Sequence, residues 1–163
     1  METDYLHIRP NLADYEAAKE LFVWDEWQKE FSFSATGKVN YAYEVTDFQV
    51  ARGNGDKPAI VSQSPEGDIR SITFRQLAEK TNILATALRN RGLKTGDRFG
   101  LYAAKYIDYV IVLLAAIKCG AIAVPVFAAF GREAVADRLH NCAAEWLYVT
   151  HDLFKNAPLF PST

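Results

Sequence analysis

The stretch FGLYAAKYIDYVIVLLAAIKCGAIAVPVFAAFGREAVADRLHNCAAEWLYVT, from Phe99 to Thr150, decides the fold. Phe99 to Ala103 is a short β-type run, and Ile107 to Lys118 is a strongly apolar helical run closed by Gly120. Ala121 to Phe127 is rich in branched residues and reads as a buried strand. Arg132 to Asn141 has helical spacing, with Val135, Leu139 and Cys142 on one face, and Glu145 to Thr150 is a further strand. Strand, helix, strand, helix, strand predicts a parallel sheet with helices on its faces, because parallel neighbours need a long crossover. The same stretch raises a membrane question, since from Tyr109 to Phe130 the only charge is Lys118. Gly120 and Pro125 divide it, so a buried helix followed by a buried strand explains it better than a span.

Upstream, Pro58 to Ser62 and Ile69 to Phe74 flank Ser64-Pro-Glu-Gly-Asp68, a β-hairpin pattern with a Pro/Gly turn. Thr73 followed by Gln76 is a capping box, opening a helix with Leu77, Leu84, Ala87 and Leu88 on one face. Gly92 ends it as a left-handed cap. Leu93 to Arg98 is the turn into the first strand of the sheet.

Further out, Asp14 to Glu30 reads as an amphipathic helix, with Trp24 and Trp27 as packing residues, as is Trp146. Ser32 to Lys38 is a polar break with Gly37. A second helix is expected from Asn40, as N-cap, to Arg52, closed by Gly53. The fold class is thus α/β: a helical arm over 1–54, then an α/β core over 55–152 holding the hairpin and a partial parallel sheet. A linker-like tail follows over 153–163, the whole forming a single subdomain.

Composition narrows the function classes. The chain has 163 residues, half of them hydrophobic, with a net charge of −2 and no basic stripe. Nucleic acid is therefore not an expected partner. Cys119 and Cys142 read as buried free thiols, and His7, His140 and His151 have no metal-ligand spacing. Met1 to Asp4 is acidic and lacks the pattern of a signal peptide, so the cytoplasm is the expected compartment.

Several short motifs occur in one order: Gly55 to Ala59, Ile72 to Leu77, Gly92 to Arg98, Gly120 to Phe127 and Phe130 to Leu139. Together they resemble the opening of AMP-forming acyl-CoA ligases, a branch of the adenylate-forming enzymes. Asn40 to Glu44 points to the acetate–CoA ligase type. The resemblance covers roughly residues 12–152 and implies the amino-terminal subdomain of such an enzyme. It implies ATP, Mg²⁺, coenzyme A and a short or medium carboxylic acid for the parent, and later segments of the same enzyme as partners. The family's Ser/Thr/Gly-rich phosphate loop, Thr-Glu motif, ribose-binding Asp and catalytic Lys do not occur in this sequence. No catalytic or metal residue is therefore assigned, and the chain alone is expected to be inactive. A non-catalytic module binding nucleotide, coenzyme A or protein, and one half of a split ligase, are the alternatives.

The candidate ligand contact is Phe127-Ala-Ala-Phe-Gly-Arg132, where a strand ends and a helix begins. Small residues admit a ligand to the backbone, and a helix start favours anions. The resemblance implies coenzyme A contacts at Ala128, Ala129 and Gly131, although the family carries a glycine pair where Ala128 and Ala129 stand. It also implies a nucleotide contact near Lys155, where the family has an arginine. The same residues read as Phe127 and Phe130 in the core around a tight turn, with Lys155 solvated. Gly53-Asn-Gly55 is most simply a turn.

Overall fold

A computed structural model of the chain describes residues 12–64, 66–104 and 106–156. The expectations for Met1 to Asp4, for His7 and for the end of the tail lie outside the described residues. The chain divides into two units, Met1–Val39 and Asn40–Thr163.

In the first unit, the expected continuous helix over Asp14 to Glu30 is instead two, α1 (Tyr15–Leu21) and α2 (Trp24–Gln28). Asp14 caps α1, its carboxylate accepting from the Ala17 amide at 3.0 Å. Phe22 and Val23 are extended between them. Leu21 to Trp24 is an uninterrupted apolar run, and one helical face cannot take four consecutive residues. The break lets the Phe22 ring meet Trp24 edge-on at 5.0 Å and Trp27 at 5.9 Å. Neither tryptophan is core: Trp24 is 70% and Trp27 49% exposed. The expected polar break contains a short helix, α3 (Phe33–Thr36), which Gly37 terminates in the left-handed conformation at φ 64°.

The second unit begins with the segment expected as one helix to Arg52. Asn40 does cap it, accepting from the Tyr43 amide at 3.2 Å. The helix nevertheless breaks into α4 (Tyr41–Glu44), α5 (Asp47–Gln49) and a wide π-type turn, Val50–Asn54. Two β-branched residues, Val45 and Thr46, sit at the first break, and the buried Thr46 hydroxyl bonds back to the Ala42 carbonyl. Gly53 is left-handed at φ 84°, inside the wide turn. This segment packs on the α/β body, with Ala42 fully buried beside Leu77, Ile111 and Leu114.

The hairpin forms as the sequence indicates. β1 (Pro58–Gln63) pairs antiparallel with β2 (Ile69–Thr73), with a shift in register between Pro58 and Ile60. Helix α6 (Phe74–Asn90) starts with the capping box, both bonds present, and Gly92 follows it at φ 102°. Next come β3 (Arg98–Tyr102), α7 (Ile107–Lys118), β4 (Ile122–Val126), α8 (Arg132–Asn141) and β5 (Trp146–Val149). The sheet is parallel, in the order β4-β3-β5, with Arg98 opposite Ile122 and Phe99 opposite Trp146. The apolar run from Tyr109 to Phe130 is therefore α7 and β4, and no described helix is long and apolar enough to cross a membrane.

Two cores lie on opposite faces of this sheet. Phe99 and Leu101 point towards α7, meeting Val112, Ala115 and Ala116. Tyr102 and Val126 point towards α8, meeting Val135 and Leu139. Alternation along the strand separates the two sets. Gly100 faces α8 so closely that an added Cβ would lie 2.6 Å from Leu139 Cδ2, so any larger residue would make Leu139 shift. Trp146 stacks on Phe99 at 6.4 Å, and the buried Cys119 thiol is held above its ordinary pKa by burial. Cys142 is only half-buried.

Candidate functional site at the carboxyl end of the parallel sheet

β3 and β4 are neighbours, yet the chain leaves β3 for α7 on one face and leaves β4 for α8 on the other. The strand order β4-β3-β5 reverses between β3 and β5, so the switch point that open parallel sheets use for ligands falls at the carboxyl ends of β3 and β5, one strand away from the end of β4. At that end of the sheet Ala103 follows β3, and Phe127 to Gly131 follow β4.

Phe127 to Phe130 is a tight turn, closed by the Phe130 amide donating to the Phe127 carbonyl at 3.0 Å. Ala128 and Ala129 occupy its two central positions, Ala129 exposed and Ala128 half-buried. The Phe127 and Phe130 rings meet edge-on at 5.6 Å. Phe130 is half-buried against the second core, whereas Phe127 is 62% exposed. Of the two phenylalanines, only Phe130 does the packing work that a purely structural reading assigns to both.

Gly131 is the N-cap of α8 and offers no side-chain oxygen to its first turn. Its φ is −74°, which any residue adopts, and an added Cβ would meet nothing within 4 Å. Neither backbone nor packing demands glycine there. The first amides of a helix have no intrahelical acceptor and carry positive partial charge, which suits an anion. Arg132, the first residue of α8, donates to the Lys155 carbonyl at 2.7 Å. That bond ties the short 3₁₀ turn Phe154–Asn156 to the start of α8. Ala128, Ala129, Gly131 and the exposed Lys155 thus share one end of the sheet. Glu133 opens the helix as an acidic residue, and Arg138 and His140 close it as basic ones, as its dipole favours.

Gly53-Asn-Gly55 is a turn, as expected. The Arg75 amide donates to the Gly55 carbonyl at 2.9 Å, and a Cβ on Gly55 would lie 2.7 Å from the Arg75 guanidinium. Among the described residues no cluster of His, Cys, Asp and Glu could hold a metal ion. Periodicity did not reveal a concavity of about 860 Å³ between the hairpin and the start of α7. Arg70 and Lys80 line it together with Glu66, Asp68 and Asp108, so it shows no preference for one sign of charge.

Residues 48–161 match the family model described as AMP-binding enzyme. The chain belongs to the AMP-binding enzyme family. It is 35% identical over 150 residues to the acetyl-coenzyme A synthetase of Bacillus subtilis, covering 91% of this chain and 26% of that protein. It is 34% identical over 148 residues to the 3-hydroxypropionyl-coenzyme A synthetase of Sulfurisphaera tokodaii, covering 85% of this chain and 22% of that one. The chain therefore spans about a quarter of the length of these relatives.

Among solved structures, an acyl-CoA synthetase of Brucella canis shares the fold, with a TM-score of 0.74 at 22% identity. That likeness covers 91% of this chain and 29% of the other. The NpsA N-terminal subdomain of Klebsiella oxytoca is 30% identical, with a TM-score of 0.52 over 56% of this chain and 23% of that one. Within the AMP-binding enzyme family, the chain corresponds to the amino-terminal portion of AMP-forming acyl-CoA ligases of the acetate–CoA ligase type.

Proposed function

We propose that the chain forms the amino-terminal wall of an AMP-forming acyl-CoA ligase and part of its coenzyme A entrance. In that reaction a carboxylate attacks the α-phosphate of ATP, giving an acyl-adenylate and pyrophosphate. The coenzyme A thiol then takes the acyl group and AMP leaves. The observation that carries the site is the Phe127–Arg132 turn at the carboxyl end of β4, which Arg132 ties to the chain after β5 and which holds a glycine that neither its φ nor its packing requires.

In this reading Ala128, Ala129 and Gly131 admit coenzyme A to the backbone, and Lys155 offers a cation to its nucleotide phosphates. The chain's own part is to bind and orient. The phosphate loop, the Mg²⁺ ligands, the lysine that stabilises charge and the pocket for a short or medium acid come from later segments of the parent. By itself the chain is inactive, and the parent works in the cytoplasm.

The test is to isolate the native gene product with an antibody to this chain, measure its intact mass and assay acid-dependent ATP–pyrophosphate exchange. A product several times longer with exchange activity supports the reading. A product of this size, with no exchange even when mixed with extract from its source, overturns it.

A further inference from the structure

Tyr102 is the last residue of β3, and none of it is accessible to solvent. Its phenol is not idle in the core: the hydroxyl donates to the Phe130 carbonyl oxygen at 2.7 Å. The same residue is held at its other end, where the Arg138 guanidinium lies 3.9 Å from the centroid of the Phe130 ring. Arg138 is itself fixed to α8 by a 2.7 Å bond to the Ala134 carbonyl.

The Phe130 carbonyl belongs to the same planar unit as the Gly131 amide, and in a trans peptide C=O and N–H point in opposite directions. A hydroxyl that grips the oxygen from the buried side therefore turns the Gly131 N–H away from the core. Among the described residues that amide has no acceptor. Gly131 has no side chain to obstruct it, and the space that a Cβ would occupy there is open.

We propose that Tyr102 is a positioning residue for the Phe127–Arg132 segment. By clamping the Phe130–Gly131 peptide plane, it aims the Gly131 N–H, and with it the start of α8, at the ligand. Arg138 steadies Phe130 through its ring. This rests on the reading that coenzyme A docks at that turn, but the clamp itself can be tested without ligand. The hydroxyl is the only group removed by Tyr102→Phe, so the core keeps its shape.

Two readouts on the 163-residue chain separate the possibilities: amide hydrogen exchange, and coenzyme A affinity from amide shifts. The clamp predicts that Tyr102→Phe speeds exchange across Ala128 to Ala134 by about tenfold relative to α7, an opening local to that segment. It also predicts that coenzyme A affinity falls by about three- to tenfold, the size expected for one lost positioning bond. Exchange that is unchanged, or that rises evenly over the whole chain, overturns the clamp. Local acceleration in a chain whose wild type ignores coenzyme A sustains the clamp and removes the ligand reading instead.

Discussion

The Lys118 ammonium meets the Asp47 carboxylate at 2.5 Å, tying α7 to α5 across 71 positions of sequence. Asn82 of α6 joins both, donating to Asp47 at 2.7 Å and accepting from Lys118 at 2.8 Å. The Lys118 side chain is only 8% exposed, and that of Asp47 is 25% exposed. Removing either partner leaves the other charge poorly solvated. Lys118→Met should cost about 2 kcal/mol in urea unfolding, below the full figure for a buried pair because Asp47 keeps some water.

Burial pushes the Asp47 carboxyl up, but hydrogen bonds from Lys118, Asn82 and Thr46 and the ammonium charge outweigh it. The net pKa is below the ordinary 3.8. A carboxyl depressed in the folded state stabilises fully above its unfolded pKa and loses that contribution as pH falls through the folded value. Stability should therefore decline below about pH 4, and Asp47→Asn should flatten that part of the profile. An equally steep acid limb in Asp47→Asn would assign the decline to other carboxylates.

Glycine and alanine exchange should have opposite signs at two turns. Ala143 is left-handed at φ 50°, held by Arg98, which donates to its carbonyl at 2.9 Å. Ala143→Gly relieves that conformation and should stabilise by about 0.5–1 kcal/mol. Gly120 is also left-handed, at φ 81°, and a Cβ there would lie 2.8 Å from Thr95 Oγ1. Gly120→Ala should destabilise by about 1–3 kcal/mol. Thermal unfolding of the two variants, shifting in opposite directions, is the check.

Gly100→Ala tests how tightly α8 sits on the sheet. The new methyl group would meet Leu139 Cδ2 at 2.6 Å and the Trp146 carbonyl at 3.2 Å. The side chain can give way but the backbone oxygen cannot, so a loss of about 1–3 kcal/mol is expected. Combining it with Leu139→Ala should cost less than the sum of the two single changes, because they share one contact.

Gly131→Ser separates ligand from fold. With open space and an ordinary φ at Gly131, serine should leave stability within about 0.5 kcal/mol, or raise it slightly as a better cap. If coenzyme A approaches that backbone, its affinity should fall about tenfold, or ~1.4 kcal/mol. Unfolding curves together with a coenzyme A titration report both quantities on the same sample.

The sheet was legible because local signals agreed there. Gly120 and Pro125 divided the apolar run, and Thr73 with Gln76 marked the start of α6 in a bond pattern that needs only neighbours. The amino-terminal helices were less legible. Spacing alone did not reveal that Phe22 would fold back onto two tryptophans, or that Thr46 would bond to Ala42 and break its helix. The tight turn of the candidate site could be read from the strand-to-helix junction at Phe127 to Arg132. Its support could not, because Tyr102 and Phe130 are 28 positions apart and meet only once β3 and β4 pair.

The most direct measurement is a titration of the isotope-labelled chain with coenzyme A, followed amide by amide. The account predicts saturable shifts centred on Ala128 to Ala134 and on Lys155, with the hairpin undisturbed. No shift at millimolar coenzyme A, or shifts centred on the cleft between Arg70 and Asp108, would contradict it.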